Sequence, residues 1–188
     1  NIHLKIGPDN LEIREASQNE LDNYFEKSRP NNISYPKRDL KYVNIRRFAN
    51  LSYPMFTAYG SKATNLAELK RILPSVTPDG YAIPFYFYHE FMLHNGFYSE
   101  ATQMINDELF RKFPSVREKR LKEFRKRIKD IGILPGWMLE KLRAMQDSFE
   151  NGITLRARSS TNNEDLQGFN GAGLYESYSH YPSEGHFS

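Results

Sequence analysis

An α+β fold, with a small mixed sheet and several helices, is what this 188-residue sequence predicts. Three observations lead there. Apolar residues recur at helical spacing in three stretches: Ala63, Leu66, Leu69 and Leu73; Leu121, Phe124, Ile128 and Ile131; Met138, Leu142, Met145 and Phe149. Strand-like segments are few and short, chiefly Ile2 to Ile6 and Ile153 to Arg158, the second rich in β-formers. Gly and Pro punctuate the chain between these segments.

Taken in order, residues 1–41 are polar and read as an N-terminal extension or linker. Ile2 to Ile6 alternates as a strand, Asp9-Asn10 turns, and Leu11 to Ile13 returns. Ser17-Gln18-Asn19-Glu20 has the capping-box pattern and opens a helix toward Lys27, which Pro30 ends. A second unit, 42–188, begins near Tyr42. Its first helix runs from Lys62 to Leu73 and is broken by Pro74 and Pro78. Gly80 to Pro84 reads as a short buried strand, Phe85 to Asn95 as a helix ending at Gly96, and Glu100 to Phe110 as another helix. Helices follow over 115–131 and from Pro135, a residue tolerated in a first helical turn. Asn151-Gly152 turns into the strand ending at Arg158. Ser159 to Gly173 is a glycine-rich loop, and Leu174 to Tyr178 a last strand.

Composition excludes several classes of function. With 39% hydrophobic and 14% aromatic residues the chain is too apolar for disorder. Mean hydropathy is −0.70, and no apolar run approaches the ~20 residues of a membrane span. There is no cysteine, hence no disulfide, thiolate zinc site or cysteine nucleophile. Without a charged-then-apolar leader, a cytoplasmic protein is expected. Asn1 at the start, in place of Met, makes the expectation that of a fragment.

Net charge is +3, but ten Lys/Arg against Glu118 and Glu123 between Arg111 and Lys129 give a local +8, leaving 3 − 8 = −5 elsewhere. One helix therefore holds the excess. No aromatics interleave with its charges as in a single-strand binder, so neither nucleic acid nor a membrane is expected as partner. His89 and His94 resemble a zinc-protease pair, but five residues apart they sit about 140° apart around a helix.

Two constellations carry phosphate chemistry. Gly60-Ser61-Lys62 opens an amphipathic helix: glycine lets a ligand approach the backbone, free amides at a helix N-terminus attract anions, and Lys62 adds a cation. It is not a Walker A loop, because Ser61 separates Gly60 from Lys62 and the upstream glycine is missing. The alternative is a loop glycine followed by a solvated lysine. In the second, Arg156 and Arg158 share one face of a strand and are followed by Ser159 and Ser160. Guanidinium groups bind polyphosphate oxygens in bidentate fashion; the alternative is pairing with surface carboxylates. Glu164 and Asp165 could meet a metal, a ribose or a helix terminus, or order the loop by pairing with Arg158.

Taken together the motifs resemble a known family. Gly60-Ser61-Lys62-Ala63-Thr64-Asn65-Leu66-Ala67-Glu68-Leu69 is similar to the GxKxxNLAEL segment of the nucleotide-binding domain of phosphoenolpyruvate synthase and pyruvate, phosphate dikinase. Pro78 to Ile83 resembles VPxGFxI, Arg158 to Leu166 resembles RSSxxxEDL, and Gly171 to Ser177 resembles FAGxYET, all in the family's order over 42–188. Leu174 and Gln167 depart from the family's usual Gln and Pro.

The resemblance implies the N-terminal part of an ATP-grasp-type domain. ATP would be bound through Lys62 and Arg158, with Gly60, Arg156, Ser159, Glu164 and Asp165 around it. It implies no catalytic or metal-ligating residue within these residues. Mg²⁺ would be held by a second ATP-grasp subdomain, a phosphohistidine domain would carry the phosphoryl group, and a barrel would bind pyruvate. Residues 1–188 alone are expected to bind ATP weakly and to lack transfer activity, and the loop 161–173 is expected to be a ligand-gated cover. The acceptor could instead be a glucan or a small molecule. From a different class, the basic helix 111–129 could make the chain a non-catalytic interaction module.

Overall fold

A computed structural model describes residues 2–28, 36–163, 165–166, 169–170 and 175–187. The first elements are β1 (Ile2–Ile6), β2 (Leu11–Glu15) and α1 (Gln18–Ser28). In the antiparallel β1–β2 ladder Leu4 faces Ile13 and Ile6 faces Leu11. This register gathers Ile2, Leu4, Ile6, Leu11 and Ile13 on one face, each more than half exposed. The polar face turns to α1: His3 Nδ1 lies 3.0 Å and the Arg14 guanidinium 2.7 Å from Glu20. The capping box forms as the sequence predicts, Ser17 N donating to Glu20 Oε2 at 3.0 Å and Glu20 N to Ser17 Oγ at 3.4 Å.

Next come β3 (Arg46–Arg47), two 3-10 turns (Phe48–Asn50 and Tyr53–Met55), α2 (Phe56–Tyr59), α3 (Ser61–Ile72) and β4 (Tyr81–Ala82), which pairs with β3. Phe48, Leu51, Ala58, Tyr59, Ala67 and Ala82 form the core here, with Tyr42, Met55, Ala63 and Leu66 against it. Alanines from α2, α3 and β4 let these short elements approach closely. Glu68 of α3 accepts from the Tyr53 amide at 3.0 Å, tying the second 3-10 turn to the helix. Arg71, then this amide, holds the Glu68 carboxyl below the usual range.

The helical part contains α4 (Phe85–His94), α5 (Phe97–Asn106), α6 (Glu108–Lys112), α7 (Pro114–Ile131) and α8 (Gly136–Asp147). Aromatic rings join it. Trp137 of α8 meets Phe87 of α4 edge-on at 5.1 Å, and Phe97 of α5 meets Phe91 and Phe124 at 5.8 Å each. Phe97, Met138 and Met92 are buried. His89 is engaged in this packing, its Nδ1 3.2 Å from the Tyr98 hydroxyl. Then come β5 (Leu155–Arg158), the two-residue strands β6 (Asp165–Leu166) and β7 (Phe169–Asn170), and β8 (Ser177–His180). No helix among the described residues is long and apolar enough to cross a membrane.

The α+β class stands, with three corrections of detail. The strands do not join in one mixed sheet. Among the described residues they form four two-stranded antiparallel ladders, because strands of two to five residues each find a single partner. The helix expected over Glu100 to Phe110 is divided at Asp107, which is extended and accepts from the amides of Leu109 (2.8 Å) and Phe110 (3.1 Å). This is an N-cap inside an apolar period. The last strand runs from Ser177 to His180 rather than from Leu174, because its register is set by β5, with Arg158 opposite Ser177 and Leu155 opposite His180. Leu174 lies outside the described residues.

The basic helix pairs much of its charge on the protein's own surface. Arg120 pairs with Asp107 at 2.8 Å, Arg127 with Glu100 at 3.3 Å and Arg125 with Glu176 at 3.1 Å, Lys126 pairs with Asp130, and Lys129 lies 5.9 Å from the Tyr178 ring centre. Exposed pairs stabilise little; three of these link α7 to α5, to the cap of α6 and to the approach to β8, beside the Phe97–Phe124 packing contact.

Arg120, then the two amides, holds the Asp107 carboxyl below its ordinary range. A depressed carboxyl stabilises the fold above its unfolded pKa of about 4, and the contribution is lost as pH falls through the folded value. Asp107→Asn keeps a capping acceptor but loses the ion pair. Thermal melts should therefore show the variant less stable than the parent at pH 7, with the difference shrinking toward pH 2. An equal difference at both pH values would contradict this role.

Candidate functional site

The two phosphate-type constellations meet. Tyr59 ends α2, fully buried, with its hydroxyl donating to Asn44 O at 2.8 Å. Burial raises the Tyr59 pKa, so the group stays a neutral donor. Gly60 then takes φ 84° and ψ 155°, a backbone region essentially reserved for glycine, and α3 departs in a new direction. At that bend the loop after β5 comes against the backbone. A Cβ on Gly60 would lie 2.4 Å from the Ser160 carbonyl carbon and 2.4 Å from its Oγ.

The contact is hydrogen-bonded. Ser160 Oγ accepts from Ala63 N at 3.0 Å, and Thr161 O accepts from Ser61 N at 3.1 Å. Gly60, the N-cap residue of α3, has no side chain to cap the helix, so a hydroxyl 97 residues away does so. Thr64, fully buried, donates from Oγ1 within 3.2 Å of the Gly60 and Ser61 carbonyls and fixes the first turn. Beyond Ser160 the loop is braced and anchored. Asn163 N donates within the loop to Thr161 Oγ1 at 3.3 Å, and buried Asn162 anchors it by donating to Pro36 O at 3.2 Å. Asn163 Oδ1 is buried with no hydrogen-bond partner among the described residues.

Each expected site residue has a clear position, with two exceptions. Gly60 is buried at the bend, and Lys62 is exposed between the two bonded amides of the first turn. Arg156 and Arg158 lie on β5, both exposed, and opposite Ser179 and Ser177 of β8. Arg156 donates to Ser179 Oγ at 2.7 Å, whereas no hydrogen bond or ion pair of Arg158 is formed among the described residues. Ser159 is half-buried. Glu164 and the Asp165 side chain lie outside the described residues, as does much of the expected cover 161–173, although the Asp165 backbone pairs with Asn170.

One expectation is corrected. Free amides at the α3 N-terminus were to attract an anion, but Ser61 N and Ala63 N already donate to Thr161 O and Ser160 Oγ. What the site offers an anion is a bend that only glycine can make, a lysine in the first turn, and a guanidinium two residues before the capping serine. Ser160, Thr161 and Thr64 are the residues that sequence reasoning missed as builders of the site. The available signal was a helix opening on Gly-Ser with no local capping box, which asks for a cap from elsewhere. No group of three or more His, Cys, Asp or Glu among the described residues is arranged to hold a metal ion.

Residues 57–186, which include both constellations, match the family model described as pyruvate phosphate dikinase, AMP/ATP-binding domain. Comparison with curated proteins returned no match.

Gly60→Ala should destabilise the protein by about 3 kcal/mol or more, since it combines a glycine-only conformation with a collision against backbone. Gly136→Ala, at the start of α8 with open space at its Cβ, is the control and should be neutral or slightly stabilising. Urea denaturation followed by circular dichroism measures both, and equal midpoints would refute the strained bend.

Proposed function

The chain belongs to the family of pyruvate phosphate dikinase AMP/ATP-binding domains, and from that premise we propose that Lys62 and Arg158 bind the phosphates of ATP for a phosphoenolpyruvate synthase-like phosphotransferase. The observation that carries this reading is the docking of the Arg158-Ser159-Ser160 segment onto the Gly60-Ser61-Lys62 turn through the Ser160 Oγ to Ala63 N bond. Two segments from distant parts of the sequence, each bearing one of the cations, are thereby bonded to one another. Both side chains are exposed.

Phosphoryl transfer asks the protein for positioning and for neutralisation of charge on the phosphate oxygens. Arg158 gives planar, bidentate donors and Lys62 a compact point charge. Gly60, without a side chain, makes room beside them for the Ser160 segment. Arg156, bonded to Ser179, supports β5 one alternation away. Ser159 lies between Arg158 and the capping serine, and Glu164 and Asp165 order the loop that follows. In the parent enzyme the phosphoryl group passes to a histidine on a separate domain and on to pyruvate. Magnesium is supplied with ATP and held by residues other than those described. The protein works in the cytoplasm.

Lys62→Ala and Arg158→Ala in the full-length enzyme test this reading. A charge-assisted hydrogen bond contributes about 1.5–3 kcal/mol, so each variant should weaken ATP binding roughly 10- to 100-fold by calorimetry. Arg158→Lys should recover only part of the loss, because lysine lacks the bidentate fork. Unchanged affinity in both alanine variants would refute the site.

A further inference from the structure

We propose that Ser160 is a positioning residue: by capping α3 from across the fold, its hydroxyl sets Arg158 and Lys62 at a fixed separation for the nucleotide. The inference rests on the reading of Lys62 and Arg158 as ATP ligands, and it assigns the neighbouring serine a role that involves no contact with ATP.

Lys62 lies between two amides that both donate to the loop, Ser61 N to Thr161 O at 3.1 Å and Ala63 N to Ser160 Oγ at 3.0 Å. These bonds clamp the α3 backbone on either side of Lys62. On the other strand, Arg158 is the last residue of β5, and Ser160 follows two residues later. A rigid strand end and a rigid helix start are thus connected through one hydroxyl and one carbonyl. The hydroxyl lies where a side chain on residue 60 would lie, since a Cβ there would come within 2.4 Å of Ser160 Oγ. Gly60 and Ser160 therefore form one device, in which the missing side chain makes room for the remote cap.

The clamp is also held from behind. Thr64, with no exposure, donates to the carbonyls of Gly60 and Ser61, and Asn162 anchors the far side of the loop to Pro36 O. With both flanks fixed, loss of the Ser160 hydroxyl leaves the Ala63 amide without its partner and frees the loop at the point nearest Arg158. A small displacement of a charge-bearing side chain is costly to a site that works by positioning. Ser160 acts through Arg158 and Lys62, so its effect depends on their presence.

The test is a double-mutant cycle in the full-length enzyme, read as the dissociation constant for ATP well below the unfolding temperature. Ser160→Ala should weaken ATP binding about five- to twentyfold, in keeping with the loss of a helix cap, while Ser160→Thr, which keeps the hydroxyl, stays within about threefold of the parent. On an Arg158→Ala background the same Ser160→Ala change should alter affinity less than about twofold, because the group it positions is gone. If Ser160→Ala does not fold, Ser160→Cys runs the same cycle with a weak acceptor of similar size. Loss of thermal stability with unchanged ATP affinity, while Arg158→Ala alone weakens binding, would overturn the positioning role and leave the ATP site intact. Additive effects of the two substitutions would also overturn it. Parent-like affinity in Arg158→Ala and Lys62→Ala would remove the ATP site and this inference with it.

Discussion

Everything proposed for this molecule depends on a backbone bend with no side chain. At Gly60 the chain leaves α2 and enters α3 through a conformation that other residues adopt only at a cost. The vacated volume is filled by Ser160, which supplies the cap that the helix lacks locally. Move either partner and two relations fail together: the aim of α3 and the anchoring of the loop after β5. The core of Phe48, Leu51, Ala58, Tyr59, Ala67 and Ala82 secures the near side of this joint. The β5–β8 ladder secures the far side.

The legible parts of this fold were those decided over a few residues. The Ser17–Glu20 capping box and the start of α8 after Pro135 follow from short-range rules, and the structure has them. The α3 face does so only in part: Ala63 and Leu66 pack against the core, but the buried residues are Thr64 and Ala67, and Leu69 and Leu73 are exposed. Asp107 shows where local reading falters. The apolar period from Glu100 to Phe110 favours one helix, yet a carboxylate that caps two amides and meets Arg120 breaks it. Side-chain capping outweighed periodicity. The strands failed for a different reason: pairing is a property of two segments, and nothing within Leu174 to Tyr178 says which residue will stand opposite Arg158.

For the site, residue types were legible and their relations were not. Gly60, Lys62 and Arg158 stand out by chemistry, but no pattern within either motif encodes the bond between Ala63 and Ser160. The helix amides looked open because their acceptors lie about a hundred residues further along the chain. The basic helix is the charged surface that its sequence suggests, with no buried residue, but its partners were not legible: Glu100, Asp107 and Glu176 come to it from three other parts of the fold.

The remoteness of that serine also bears on how the protein is made. At roughly 5–20 residues per second, a ribosome needs on the order of 5–20 s to extend a chain across the 97 residues between Ala63 and Ser160. Helix formation itself takes about a microsecond. Throughout elongation, α3 must therefore exist with its leading amides bonded to water, or wait unformed. The half of the site that carries Lys62 is translated early and completed late, when the segment after β5 emerges and bonds back to it. Long-range closures of this kind are the slow steps of folding. A nascent chain stalled before residue 160 would hold a finished helical core beside an unfinished binding surface.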